Sequence, residues 1–516
     1  MGLGGPIALG PSGVRFAGFD KPANAGIWIP PLLEHAQTHS DRATTRHCHA
    51  DFTNSALPFP GSPLCSPTRP DLMSLLAESR STLKLALPLM IGQLSQMLLG
   101  VADTLMIGRL GVEEMAALTF ANTLFHVPFV FGMGLLTAVS VFTSNASGAN
   151  DAPGARGSCR HGLYLSLALG FLMFALSWWI SNHLDLFGQP PEVVARSQTF
   201  FRILMASCIP ALASIALKNH ADALNRPWPP FWIFLGGVAL NILLNWIMIF
   251  GHLGCPALGL EGAAWATLIS RVAILVAMFV WLHLAPGLRE WVPYRWLRKP
   301  DPTDLKRLLA IGLPASLQML CEVAAFSSAG LLMGRFGSTA MAAHQIAITC
   351  AATSFMIPLG LSMALTVRIG EAHGAGHAHR LRPILLSGWL LCAGFALTAA
   401  AFFLIFGKSL AAAFIHAPDV IALTASLLVI VGIFQIFDSI QVASAAMLRG
   451  LHDARIPALM GFVSYWIFGL PLAWFLAFHT PLAAAGVWWG LAAGLVVACL
   501  TLGPRLWLHT RPGKPT

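Results

Sequence analysis

GLPASLQMLCEVAAFSSAGLLMG, residues 312–334, is apolar or small from end to end except at a few positions, and one of those is Glu322. About 20 consecutive apolar residues suffice to cross a bilayer as a helix. The stretch therefore reads as a membrane span with a carboxylate inside it. A central charge costs about 2.5–3.5 kcal/mol even on the lenient insertion scale. The rest of the chain has to account for both the span and the charge.

Of 516 residues, 56% are hydrophobic and only 10% charged, against about 25% charged in soluble domains. The chain is an integral membrane protein. Its net charge of +9 is no sign of nucleic acid, because Lys and Arg collect in the short cytoplasmic loops of such proteins. No nucleophile elbow, metal quartet or phosphate-cradling glycine loop is present, which argues against a membrane enzyme. Nine cysteines form no CxxC pair, and those in apolar runs, such as Cys208, Cys321, Cys350 and Cys499, read as small hydrophobes. RHCH (46–49) lacks a second ligand cluster and is not read as a metal site. Residues 1–72 are rich in proline, with an apolar IWIPPLL (27–33) too short to span, so a disordered N-terminal extension is expected. Met73, which opens a helical pattern, is an alternative start of translation.

From residue 84 onward, long apolar runs alternate with short breaks. Spans are expected at 84–107, 117–143, 161–183, 194–219, 229–251 and 260–284, then at 305–333, 341–369, 384–407, 419–447, 456–478 and 482–507. The break between the two sets, PGLREWVPYRWLRKPDPTD (286–304), has the Pro, Trp and basic content of an interfacial linker. The expected division is an N-terminal six-helix lobe (73–285), this cytoplasmic linker, and a C-terminal six-helix lobe with a short tail (305–516). Lys and Arg crowd the even-numbered loops and the flanks of both termini. The opposite loops hold only Arg109, Arg196, Arg335 and Lys408. That bias puts both termini in the cytoplasm.

The two sets are copies. A shift of 226 residues aligns Pro88 with Pro314, GRLG (108–111) with GRFG (334–337), and Ala116-Ala117 with Ala342-Ala343. Without a gap, Gly134-Leu135 then falls on Gly360-Leu361 and Gly148-Ala149 on Gly374-Ala375. Each copy has an even number of spans, so both enter the membrane the same way. A pseudo-twofold along the membrane normal relates them, as in transporters built from parallel repeats.

Three acids lie within spans: Asp103 towards the outer end of the first, Glu322 in the seventh and Asp438 in the tenth. A carboxylate facing a polar cavity can hold Na⁺ with neighbouring oxygens or take a proton, and either event changes its charge. The structural alternatives are a protonated acid bonded between helices, a pair with Arg271 in the sixth span, and, for Asp103, a place at the interface. Asn241 and Asn245, four apart, share a helix face and either line a cavity or tie helices together. His344 and Gln345 are expected to bond between helices, and Lys218 to snorkel to the surface.

LALPLMIGQLSQMLLGVADTLMIGRLG (85–111), GRFGSTAMAAHQIAITCAATSFMIPLGLSMALTVRIGEAHGAG (334–376) and FQIFDSIQVASAAMLRGLHDARIP (434–457) resemble the multidrug and toxic compound extrusion (MATE) family. The resemblance covers roughly residues 73–510 and implies the family's twelve helices in two lobes. The NorM branch has acids in spans 1, 7 and 10, which here match Asp103, Glu322 and Asp438. The resemblance implies export of organic cations and antibiotics driven by inward Na⁺ or H⁺; an inner-membrane antiporter is expected, a monomer in the lipid bilayer with no cofactor. By the same resemblance Glu322 and Asp438 couple the cation, binding it as a metal if it is Na⁺, while Asp103 and Asn241 contribute to substrate or proton binding. The alternative is a lipid-linked oligosaccharide flippase of the same broad superfamily, whose anionic pyrophosphate would call for cations in the cleft.

Overall fold

A backbone in hydrocarbon must satisfy its own hydrogen bonds, so each long apolar run is obliged to be helical. The computed structural model describes residues 72–510; the expected extension and the RHCH motif lie outside the described residues. Among the described residues, twelve helices are long and apolar enough to span a membrane. The first six are α1 (Met73–Ile107), α2 (Val112–Gly148), α3 (Ala152–Ser181), α4 (Pro191–Ala223), α5 (Trp228–Phe250) and α6 (Gly259–Leu284). The second six are α7 (Pro302–Gly334), α8 (Ser338–Gly374), α9 (Ala378–Phe414), α10 (Pro418–Gly450), α11 (Arg455–His479) and α12 (Ala484–His509). All twelve expected spans are present. Several helices overrun them, α2 and α9 by at least five residues at each end, because the polar end turns reach beyond the hydrocarbon that an apolar run marks.

Local chemistry sets the ends. The Asp151 carboxylate accepts the Gly154 N–H at 3.0 Å ahead of α3, and Asp301 accepts the Thr303 N–H at 2.9 Å ahead of α7, each with a proline in the first turn. Two helices are irregular inside. Helix α4 is interrupted at Ser207, three residues before Pro210. Helix α11 widens to a π turn over Val463–Gly469, where the Leu470 N–H reaches back five residues to the Tyr465 carbonyl just before Pro471.

The two lobes, α1–α6 and α7–α12, meet along seams that obey the repeat. Helix α1 packs on α8 and, in the mirrored pairing, α7 packs on α2. A Cβ on Gly134 would lie 2.5 Å from the Ser316 Cα, and one on Gly360 would lie 2.6 Å from the Met90 Cα. Ser316 is Met90 shifted by 226, and Gly360 is Gly134 shifted by the same amount. Gly148, whose added Cβ would meet the Glu371 carbonyl, and Gly374, whose added Cβ would meet the Asn145 carbonyl, form a second such pair. Residue i meeting j while the copy of j meets the copy of i is the signature of a twofold contact. Only glycine allows backbones this close. These contacts lie in the half of the bundle where α1 begins and α12 ends, here called the terminal face.

Candidate functional site

Above that packed seam the lobes part around a cavity of about 960 Å³. Its walls run along α1 from Gln93 to Ile107, along α2 from Leu118 to Met133, along α7 from Met319 to Ser327 and along α8 from Ile348 to Leu359. Met90 and Ser316, in the seam, lie one turn below Gln93 and Met319. The cavity thus starts near mid-helix and reaches the last residue of α1. Phe125, Phe129, Phe326, Phe355 and Phe434 make it largely aromatic and apolar. Asp103, Asn241, Glu322 and Asp438 all line it, so acids of both lobes share one space.

In the first lobe the polar groups form a chain. Asn245 Nδ2 donates to Asp103 Oδ1 at 2.6 Å and to Asn241 Oδ1 at 3.0 Å, and Asn241 Nδ2 donates to Thr267 Oγ1 at 3.3 Å. Asn241 and Asn245 therefore do both things expected of them: the first lines the cavity and the second ties α5 to α1. Asn245 Oδ1 is buried without a donor. Asp103 forms no ion pair with Arg271 among the described residues. Arg271 instead donates to Ser207 Oγ at 2.7 Å, at the interruption of α4, and lies over the rings of Phe125 and Phe129 at 5.0 and 5.5 Å. Its charge is covered by aromatic faces.

In the second lobe Glu322 Oε1 accepts from Gln318 Nε2 at 3.1 Å and from Gln441 Nε2 at 3.2 Å. Gln318 Oε1 in turn accepts from Arg449 at 3.2 Å. Asp438 is only 7% exposed, yet its carboxylate accepts no hydrogen bond among the described residues. Beside it on α10, Gln435 Oε1 and Ser439 Oγ are buried without partners. Two carboxylates and the orphan oxygen of Gln435 thus line one cavity where donors are scarce. Buried acceptors left in this state are costly unless something positive reaches them.

Gln318, Gln441, Arg449 and the buried Tyr465, carried on the π turn, were not singled out from the sequence. Gln318 stands four residues before Glu322 and Gln441 three after Asp438, so helical spacing offered a signal. Two expectations are corrected. Lys218 does not snorkel: its Nζ donates to Asp222 Oδ2 at 2.6 Å, one turn along α4, in a buried pair. His344 does not bond between helices: it packs on the Trp488 ring at 5.6 Å, and its Nδ1 has no partner.

Two lobes of six spanning helices around a shared, acid-bearing cavity define a multi-pass membrane transporter. The chain belongs to the MatE family, whose profile matches residues 88–247 and again 314–475. Both matches open on a proline, Pro88 and Pro314, in the register of the internal repeat. The chain is 35% identical over 437 residues to the probable multidrug resistance protein NorM of Agrobacterium fabrum, spanning 84% of this chain and 94% of that one. It is 33% identical to the multidrug resistance protein PmpM of Pseudomonas aeruginosa, over 84% of this chain and 92% of the other. Its fold is that of a solved MATE structure in a bent conformation, with a TM-score of 0.78 at 23% identity over 85% of this chain and 97% of the other. A multidrug resistance MATE transporter solved in an outward-facing conformation matches equally well, with a TM-score of 0.78 over 87% of this chain and 100% of the other.

Proposed function

We propose that this protein is a secondary active multidrug efflux antiporter of the inner membrane. It exports amphipathic, mostly cationic compounds in exchange for Na⁺ or H⁺ by alternating access. The observation that carries this reading is the single cavity that joins Asp103 of the first lobe to Glu322 and Asp438 of the second. The aromatic walls suit flat organic cations, which gain from ring faces as well as from burial. The acids supply the opposite charge.

The coupling ion binds at Glu322 and Asp438. A cation about 4 Å from one carboxylate gains about 4 kcal/mol at an effective dielectric of 20. The orphan oxygen of Gln435, which lines the same cavity, offers Na⁺ a further oxygen ligand, and a proton needs only a carboxylate. Asp103 with the asparagine chain holds the cationic cargo or a proton. Ion entry from the open side neutralises the second-lobe acids, weakens their hold on the cargo and favours return of the cavity to the terminal face. That face is cytoplasmic by the distribution of Lys and Arg. The flippase alternative needs exposed cations in the cavity, and Arg271 is spent on Ser207 and two rings.

The test is ethidium efflux from proteoliposomes under an imposed Na⁺ gradient and, separately, an imposed H⁺ gradient, for the wild type and Glu322→Gln. One gradient should drive efflux, and the substitution should abolish it. Efflux that survives Glu322→Gln would remove Glu322 from coupling. Folded protein that moves no dye under either gradient would overturn the substrate class.

A further inference from the structure

A second cavity, of about 1390 Å³, opens on the terminal face between the lobes, below the packed seam. Three helices begin at its wall, α3 at Asp151, α7 at Asp301 and α11 at Ala454, and their N-terminal ends bring partial positive charge. Five full cations line it as well: Arg160 from the first lobe, Arg298 and Lys299 from the linker, and Arg307 and Arg455 from the second lobe. None of the five side chains has a hydrogen bond or ion pair among the described residues. Asn145 Nδ2 and Arg160 Nε, on the first-lobe wall, are buried donors without partners.

The acids of this cavity form no ion pair with those five cations among the described residues, and Asp151, Asp301 and Asp304 offset only part of their charge. Asp151 and Asp301 cap helices. Asp304 Oδ2 meets His161 Nδ1 at 3.3 Å, and Asp453 pairs with Arg505 at 2.6 Å. His452 adds no cation, since burial pushes its imidazole down to about 4.

The seam on the other side of the pseudo-twofold is neutralised from within. There Glu78 of α1 accepts from Arg368 of α8 and, at 2.9 Å, from Arg380 of α9, and Asn225 donates to Glu371 at 3.1 Å. Asp304 is Glu78 shifted by 226, but it faces a histidine and leaves the cations of its own seam free.

We propose that this cavity binds a phosphate-bearing anion, either the headgroup of an anionic lipid or a free phosphate compound, held at once by Arg160 of one lobe and by Arg307 and Arg455 of the other. Guanidinium forks and helix N-termini both recognise phosphate oxygens. The volume admits a headgroup or a diphosphate rather than a lone small ion. A ligand that touches both lobes here binds best while they are closed on this face, so it stabilises that arrangement. The inference goes beyond the transport reading and does not depend on what the central cavity carries.

The test uses the full chain in phosphatidylcholine nanodiscs, with melting temperature as the readout and no transport involved. Phosphatidylglycerol is introduced into the disc in one arm, and inorganic pyrophosphate into the surrounding buffer in the other. At least one arm should stabilise the wild type, and the apparent affinity of that ligand should fall roughly a hundredfold in an Arg160→Gln/Arg307→Gln/Arg455→Gln variant. Stabilisation by the lipid alone assigns a headgroup; stabilisation by pyrophosphate assigns a soluble phosphate. If the triple variant does not fold, Arg307→Gln alone, at an exposed position, should still weaken binding about fivefold. No shift in either arm, or an equal shift in wild type and variant, overturns the site.

Discussion

Gln96 on α1 and Glu322 on α7 occupy the same register of the repeat, yet only the second is an acid. The first lobe's own acid, Asp103, falls where the second lobe has Ala329, and Asp438, on a helix whose offset from α4 is 227 residues, falls where the first has Ala211. The backbone contacts that join the lobes are duplicated almost atom for atom, as at Gly134 on Ser316 and Gly360 on Met90. One packing scheme thus frames two different sites. Asp103 receives a strong donor from Asn245 and sits at the end of a chain of amides. Glu322 and Asp438 share two amide donors between them, both on one oxygen of Glu322. The first lobe has an acid provided for, and the second has acceptor capacity to spare. Spare capacity is what a small cation fills.

The largest effect should come from exchanging acids for amides in each lobe. Asp438→Asn removes one of two carboxylates from the proposed ion site. A loss of about 4 kcal/mol of attraction corresponds to a fall in ion affinity of roughly 100- to 1,000-fold, so gradient-driven efflux should stop. Equilibrium binding of ethidium without a gradient should stay within about threefold of wild type, because the cargo's aromatic contacts remain. Asp103→Asn should weaken that equilibrium binding about tenfold, as expected for a lost charged partner, and should leave the choice of coupling ion unchanged. If both variants lose ion and dye binding alike, the division of roles between the lobes is wrong.

A smaller and more symmetric effect should follow at the seam. Gly134→Ala places its methyl carbon against the Ser316 backbone, and Gly360→Ala does the same against Met90. Overpacking of this kind costs about 1–3 kcal/mol. The two substitutions should lower the melting temperature in detergent by similar amounts, measured by intrinsic fluorescence. A large effect at one position and none at the other would mean that the twofold relates sequences but not contacts.

Much of this was legible in the chain. Apolar runs of spanning length have one structural solution in lipid, and the glycines of the repeat carried the register of the seam. Asp103, Glu322, Asp438 and Asn241 stood out because a polar group inside such a run needs a reason to be there. The remainder depended on distance in space. Gln318 and Gln441 are neutral and inexpensive to bury, so nothing in the sequence separates a ligand of Glu322 from an ordinary tie between helices. Arg449, near the end of α10, has no local pattern to mark it, and only the approach of α10 to α7 brings it to Gln318. The π turn that presents Tyr465 forms where Pro471 withholds an N–H and Gly469 lies close to Gly494 of α12, a contact no local pattern announces. Lys218 could have been read correctly, since Asp222 stands one turn away on the same helix face.

The asparagine chain gives the smallest and most diagnostic effect. Asn245→Ala deletes the donor to Asp103 and the donor to Asn241 together, whereas Asn241→Ala deletes the acceptor from Asn245 and the donor to Thr267 and leaves the Asp103 contact in place. A hydrogen bond to a charged group is worth about 1.5–3 kcal/mol and a neutral one about 0.5–1.5 kcal/mol. Asn245→Ala should therefore alter ethidium affinity or the pH dependence of binding more than Asn241→Ala, with both below the effect of Asp103→Asn. Isothermal titration across a range of pH for the three variants measures the order. The chain acts through Asp103 if the order holds. An Asn241→Ala effect equal to that of Asp103→Asn would instead mean that Asn241, which faces the cavity, contacts the cargo itself.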